Sequence, residues 1–236
     1  MAKTQRFIGD INPDINNYDE EYTRVARWLD KFLPKEPIKT YKVKLSDNSR
    51  ATYESIEVIK SLIEQGKKDI VIRRLAEKIT QYIPPKDYKK EVEAIYNFVV
   101  RRLRYTKDIH RVETLHRARD LLREHLKAAD CDDFVILTGA LLQAIGHPIR
   151  LVIIGNNYSD KSDYSHIYLQ TQVGNKWVSL DGSVPGAKAG WEAPRYATKK
   201  IINFDGTEQV FFGENKIIVW LLLAATAVFL LRYRKE

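Results

Sequence analysis

Residues Ala129-Asp130-Cys131-Asp132-Asp133 run straight into Phe134-Val135-Ile136-Leu137-Thr138-Gly139-Ala140-Leu141-Leu142-Gln143-Ala144-Ile145-Gly146, and the reading of this passage decides the rest. Asp130 is of the residue type that accepts hydrogen bonds from the first N–H groups of a helix, which puts Cys131 at the first helical position. Apolar residues then fall on almost every side, the pattern of a helix inside a core rather than on its surface. Gly146 and Pro148 supply the stop. Cys131 is the only cysteine of the chain. A thiol at that position lies beside helix N–H groups and the positive end of the macrodipole, and both favour the nucleophilic thiolate. The competing reading is a small buried hydrophobe, the usual role of a lone cysteine. A structural zinc ligand is disfavoured, since no Cys or His accompanies it at short spacing.

The 236 residues suffice for one good core with a subsidiary helical part. Charged residues at 30% and hydrophobic ones at 44% exclude a disordered chain. One cysteine excludes an intramolecular disulfide framework, so nothing requires an oxidising compartment. A net charge of +8 permits contact with nucleic acid or anionic lipid but specifies neither. The sequence holds no zinc-finger spacing, no Gly-rich phosphate loop and no fixed-period repeat, so no cofactor, metal or specific nucleic-acid partner is expected.

The first ten residues lack the apolar run of a secretory signal. Residues 217–231 are apolar except for Thr226, with Lys216 before them and Arg232-Tyr233-Arg234-Lys235 after. As a helix they span about 22 Å, short of the ~30 Å hydrocarbon core, a gap that Lys216 and Arg232 narrow by snorkelling. A terminal helix buried against the domain is the alternative. The run has no polar face to show to water, which favours a membrane anchor over residues 216–236. The basic tail prefers the cytoplasm, and without a signal the large N-terminal part is hard to export. The expected location is therefore membrane-associated, with the main domain cytoplasmic.

Between these ends, residues 1–37 are polar and punctuated by proline, with one helix expected from Glu20 to Phe32. Residues 38–45 alternate as a strand. Helices follow: from Thr52 to a break at Gly66, from Ile70 to Ile83 ahead of Pro84-Pro85, from Lys86 to Tyr105, and from Thr114 to Leu126. Arg101, Arg102 and Arg104 read as a solvated basic face. After the cysteine helix the period becomes strand-like: Arg150-Leu151-Val152-Ile153-Ile154-Gly155 reads as a central strand. Residues 164–173 and 176–181 flank Gly174-Asn175, a short-hairpin signal. The expected division is an N-terminal extension over 1–51, a helical lead-in with the main domain over 52–200, a linker over 201–215 and the hydrophobic helix over 216–236.

That hairpin carries a geometric argument. With Gly174 and Asn175 as the turn, Val173 faces Lys176, and counting back sets Tyr168 opposite Asp181. Side chains alternate with period two, so His166 shares the face of Tyr168. His166 and Asp181 are then diagonal neighbours, ~7–8 Å apart at Cα, which an imidazole and a carboxylate can span. A slip of one residue would separate them onto opposite faces. Thiol at a helix start, imidazole on a strand and carboxylate on the next strand make the Cys-His-Asp form of a catalytic triad.

The chain resembles the transglutaminase-like superfamily, a papain-like fold. The resemblance runs through Ile95-Tyr96-Asn97-Phe98-Val99, Arg104-Tyr105, Ala129-Asp130-Cys131-Asp132-Asp133, Leu141 to Arg150, Ser165-His166-Ile167-Tyr168 and Lys176-Trp177-Val178-Ser179-Leu180-Asp181, about half of the chain in order. The helical lead-in and Gly190-Trp191-Glu192-Ala193-Pro194 resemble more narrowly the versions of phages and prophages. The resemblance implies an α+β fold with the cysteine helix packed on an antiparallel sheet. It implies Cys131 as nucleophile, His166 as base and Asp181 as its orienting partner. Its members imply amide or peptide substrates, attacked through a thioester, with hydrolysis more usual than crosslinking. A non-catalytic interaction or structural module, in a viral particle or at a membrane, is the alternative. Where the family usually has glycine two residues before the cysteine, this chain has Ala129. The N–H of Cys131 is the natural first oxyanion donor; the second is not assigned by sequence. Asp132 and Asp133 read as helix-stabilising, and Trp177 and Trp191 as packing residues.

Overall fold

Two aspartates set where the helical lead-in starts. Asp69 accepts a hydrogen bond from Val71 N at 2.8 Å and caps α3, Ile70–Thr80; Asp87 accepts from Lys90 N at 3.2 Å and caps α4, Tyr88–Arg102. The computed structural model describes residues 15–33, 37–44, 49–106, 112–123, 128–160 and 162–213. Ahead of these two helices lie α1, Ile15–Phe32, the strand β1, Thr40–Lys44, and α2, Ser49–Lys67. The long helix expected from Lys86 ends at Arg102, because Leu103 turns extended, and Arg104–Tyr105 form a short strand, β2.

The helix expected from Thr114 to Leu126 is a correction. Val112–His116 form a strand, β3, antiparallel to β1 with Tyr41 opposite Leu115, and only Asp120–Leu122 make a single 3-10 turn. Leu115, Leu121 and Leu122 are buried as expected, but from a strand and a turn. β-Branched Val112 and Thr114 suit a strand once a partner is available, and that partner lies about 70 residues earlier. Ala128–Ala129, β4, pair parallel with β2, and α5, Cys131–Ala144, follows.

β5 (Ile149–Gly155), β6 (His166–Val173), β7 (Lys176–Leu180), β8 (Thr198–Asn203) and β9 (Glu208–Phe212) form one antiparallel sheet in the order β7-β6-β5-β8-β9. β5 is central, as its β-branched run predicts. Residues 201–203 and 208–212, within the stretch expected to be a linker, lie in β8 and β9. Leu151, Ile153, Ile167, Leu169, Leu180 and Ile202 share one face, where they join α5 and the other helices in the main core. Val152, Ile154, Tyr168 and Ile201 make a smaller cluster on the other face, under Ala193 and Tyr196. The architecture is α+β: a buried cysteine-bearing helix between a helical layer and an antiparallel sheet.

Two more expectations change. Gly66 does not break its helix but lies inside α2, where a Cβ would stand 2.6 Å from the Cβ of Ala140. It is the small residue that lets α2 close on α5. Arg102 is buried, not solvated, and donates to the carbonyl of Leu122. α1 contributes Val25 and Leu29 to the main core. Among the described residues no helix is long and apolar enough to cross a membrane. Residues 216–236, where such a helix is expected, lie outside them.

Candidate active site

The nucleophile candidate is placed by its cap. Asp130 is extended, at φ −98° and ψ −169°, and its side chain accepts from the N–H groups of Asp132 at 3.2 Å and Asp133 at 3.4 Å. Cys131 therefore opens α5, half-buried at the margin of the main core. Ala129, in the position where glycine is usual, is buried in β4, and its φ is not positive, so the methyl group costs no backbone strain. Asp132 sets Oδ1 3.8 Å from the sulfur of Cys131. Asp133 does more than complement the dipole. Its buried carboxylate accepts from the backbone N–H of His116 at 3.2 Å and meets His116 Nδ1 at 3.1 Å, tying β3 to the first turn of the cysteine helix. No sequence signal marked His116, which falls in the segment read as a helix.

The base candidate is placed by the hairpin. The register is the one the Gly174-Asn175 turn dictates: Val173 opposite Lys176 and Leu169 opposite Leu180, with Gly174 at φ +58°. Asp181 follows directly, on the face of His166 and Tyr168. His166 Nε2 lies 2.7 Å from Asp181 Oδ2, and Asp181 is only 2% exposed. The other carboxylate oxygen accepts from Ser183 Oγ at 2.8 Å. Ser183 was missed by sequence reasoning, although an acidic residue followed two positions later by a serine is a common turn-capping pattern. With the Nε2 proton donated to the carboxylate, Nδ1 is the imidazole nitrogen left with a lone pair.

Two contacts tie the end of the hairpin to the helices. Gly182 packs so closely on α5 that a Cβ there would stand 2.7 Å from Phe134 Cδ1, one helical turn from Cys131. Tyr96, on α4, reaches the carbonyls of Asp181 and Ala187 with its hydroxyl, at 3.0 Å each. Burial and the nearby Asp181 charge push that phenol up to about 12. Tyr105, at the end of β2, has its phenol raised first by burial and then by the charges of Cys131, Asp130 and Asp181 together.

On the sheet face carrying His166 a second network borders the site. Tyr168 stacks on His166, with ring centroids 6.2 Å apart, and donates to Glu192. Lys199 donates to the same carboxylate. Burial drives the Tyr168 phenol well above its ordinary range, helped by Glu192. For Glu192, burial pulls upward, but hydrogen bonds from Lys199 and Tyr168 outweigh it and hold the carboxyl below the usual range. Trp177 packs under the Arg150 guanidinium, 4.1 Å from its ring centroid, whereas Trp191 is partly exposed. Among the described residues no group of three or more His, Cys, Asp or Glu is arranged to hold a metal ion.

Residues 73–182 match the family model described as the transglutaminase-like superfamily. No match is found among curated proteins. A structure titled "putative cysteine protease" from Cytophaga hutchinsonii aligns at 19% identity over 61% of this chain and 48% of its own, with a TM-score of 0.38. A "putative protease" from Parabacteroides distasonis aligns at 13% identity over 74% and 40%, with a TM-score of 0.47. A "TGase" aligns at 16% identity over 77% and 41%, with a TM-score of 0.32. The chain spans less than half the length of each.

Proposed function

We infer, from the premise that residues 73–182 belong to the transglutaminase-like superfamily, that the chain is a cysteine enzyme acting on amide or peptide bonds. Cys131 is the nucleophile, His166 the base and Asp181 the group that orients and steadies the base. The observation that carries this reading is the 2.7 Å contact between His166 Nε2 and a buried Asp181 that Ser183 also holds. A carboxylate fixed on both oxygens keeps the imidazole in one tautomer, with Nδ1 free to take a proton. Cys131 passes its proton to His166 Nδ1, and its sulfur bonds to the carbonyl carbon while the carbonyl π pair moves onto oxygen. Collapse re-forms the carbonyl and breaks the C–N bond, and the amine leaves with the proton from His166. Water, giving a proton to His166, then bonds to the thioester carbon; the C–S bond breaks, the sulfur regains the proton and the acyl group leaves as an acid, which makes a protease or amidase, rather than passing to an amine. Residues 216–236 attach the enzyme to a membrane, in keeping with the apolar run 217–231.

Alkylation by iodoacetamide tests this reading, and as Cys131 is the only cysteine, one mass shift reports it. At pH 6.5 an ordinary thiol of pKa ~8.5 is about 1% thiolate. The full-length protein is expected to alkylate 10- to 100-fold faster than that fraction allows, and His166→Ala to lose most of the advantage. Alkylation at the rate of an ordinary thiol would overturn the reading, as would acyl transfer that persists in Cys131→Ala.

A further inference from the structure

The sheet ends in an apolar edge. β9 is its outer strand, and all five of its residues are exposed. Val210 and Phe212, 45% and 64% exposed, belong to one face of the sheet and Phe211, 42% exposed, to the other. Proteins blunt such an edge with charges or cover it. The contacts at the end of β9 show where it leads. Gly213 N donates to the carbonyl of Ala197 at 3.0 Å, and Ala197 N donates to that of Gly155 at 2.7 Å. The exposed Tyr158 donates through its hydroxyl to the carbonyl of Tyr196 at 3.2 Å, and a Cβ on Gly213 would collide with that same oxygen. Tyr158, Phe212 and Gly213 therefore share one end of the sheet. It is the end at which β6 begins: Phe211 pairs with Lys199, Lys199 with Ile154 and Ile154 with His166, so His166 lies three strand spacings, about 14 Å, from Phe211.

We propose that this end of the sheet, with Phe212 and Tyr158 foremost, rests in the headgroup region of a lipid bilayer and turns the His166 end of the site toward the membrane. The proposal rests on the reading of residues 216–236 as a membrane attachment. Only Glu214, Asn215 and Lys216 separate Gly213 from the apolar run 217–231. From Phe212 to residue 217 the chain spans at most about 18 Å, so a bilayer that receives the run lies within that reach of β9. Aromatic side chains suit that depth, tyrosine with its ring in the apolar boundary and its hydroxyl toward water. As a helix the run is about 22 Å long against a ~30 Å hydrocarbon core, so a second apolar contact adds to an anchor that is short by itself. Residues 217–231 folded back over β9 would cover those side chains with one stripe and leave the rest of an all-round apolar run in water.

Spin labels on the full chain test this. In a Cys131→Ala background, which leaves no other thiol, a nitroxide is attached at Phe212→Cys, at Tyr158→Cys or at Asn175→Cys. Asn175, in the β6–β7 turn, lies beyond the far end of β6, whose His166 end is about 23 Å away along the strand. In vesicles of equal parts phosphatidylcholine and phosphatidylglycerol, the labels at 212 and 158 are expected to meet a water-soluble nickel chelate several-fold less often, and dissolved oxygen more often, than the label at 175. Where one of the two substitutions unfolds the chain, the other label carries the test. Labels at 212 and 158 as open to the chelate as the label at 175, in protein that sediments with the vesicles, overturn the proposal and leave the attachment standing. Dipolar broadening at 212 that fades on dilution with unlabelled protein gives the surface to a second copy and also overturns it. Protein that stays in the supernatant refutes the membrane attachment itself, and the proposal with it.

Discussion

Gly182→Ala puts the junction between the Cys131 helix and the His166–Asp181 hairpin under test. The φ of Gly182 is not positive, so alanine suits the backbone and only the added methyl acts. That methyl would stand 2.7 Å from Phe134 Cδ1, 3.3 Å from Phe134 Cε1 and 3.3 Å from Val100 Cγ2. Ordinary carbon contact begins near 3.4 Å, so the end of β7 and the first turn of α5 must part by about 0.7 Å. Forcing a methyl into a packed core costs about 1–3 kcal/mol, to be read as a lower urea midpoint at unchanged slope. The catalytic cost is larger, because Asp181 is the adjoining residue and carries His166 with it; a misplacement of about 1 Å at a reacting centre costs on the order of 10²-fold. Iodoacetamide at pH 6.5 is expected to alkylate Cys131 at least tenfold more slowly in Gly182→Ala. Adding Phe134→Leu, which removes the ring edge the methyl meets, is expected to restore much of that rate even though the double variant is less stable. Parent-like alkylation in Gly182→Ala, or no recovery in the double variant, would refute the reasoning that this contact sets the site.

Asp133→Ala removes the partner of two buried His116 donors, the backbone N–H and Nδ1, and is expected to destabilise the fold by about 3 kcal/mol in urea unfolding, with Asp133→Asn retaining part of the loss. Glu192 adds a pH dependence. Its folded pKa lies below its ordinary value of 4.5, so its contribution to stability is fully present above that value and fades as pH falls through the lower, folded one. The stability difference between the parent and Glu192→Gln is therefore expected to be constant from pH 6 to 7 and to shrink below pH 4.5; a difference that grows on acidification contradicts the Lys199 and Tyr168 hydrogen bonds as its cause.

What could be read from sequence follows the separation of the residues that had to meet. Asp130 caps the helix within three residues, and Gly174-Asn175 sets the register of its own hairpin, so the Cys131 helix and the His166–Asp181 pair were legible from local rules. β3 was not. Leu115, Leu121 and Leu122 are compatible with helical spacing, and only pairing with Tyr41 and its neighbours makes a strand of 112–116. Misplacing that segment concealed two interactions at once: the bond from Arg102 to Leu122, which turns a basic surface residue into a buried one, and the grip of His116 on Asp133. β9 escaped because all five of its residues are exposed, so burial leaves no alternation to see. Gly66 shows the converse error. A glycine read as a stop is an approach of two backbones, visible only once Ala140 is seen against it.

The β6–β7 hairpin also sets an order of assembly. His166 and Asp181 are 15 positions apart and close a short loop, whereas the cysteine helix α5 packs against strands that come later in the chain. During synthesis Cys131 and Phe134 are made before Gly182, so the close contact of Phe134 with Gly182 becomes possible only once the whole hairpin has been made.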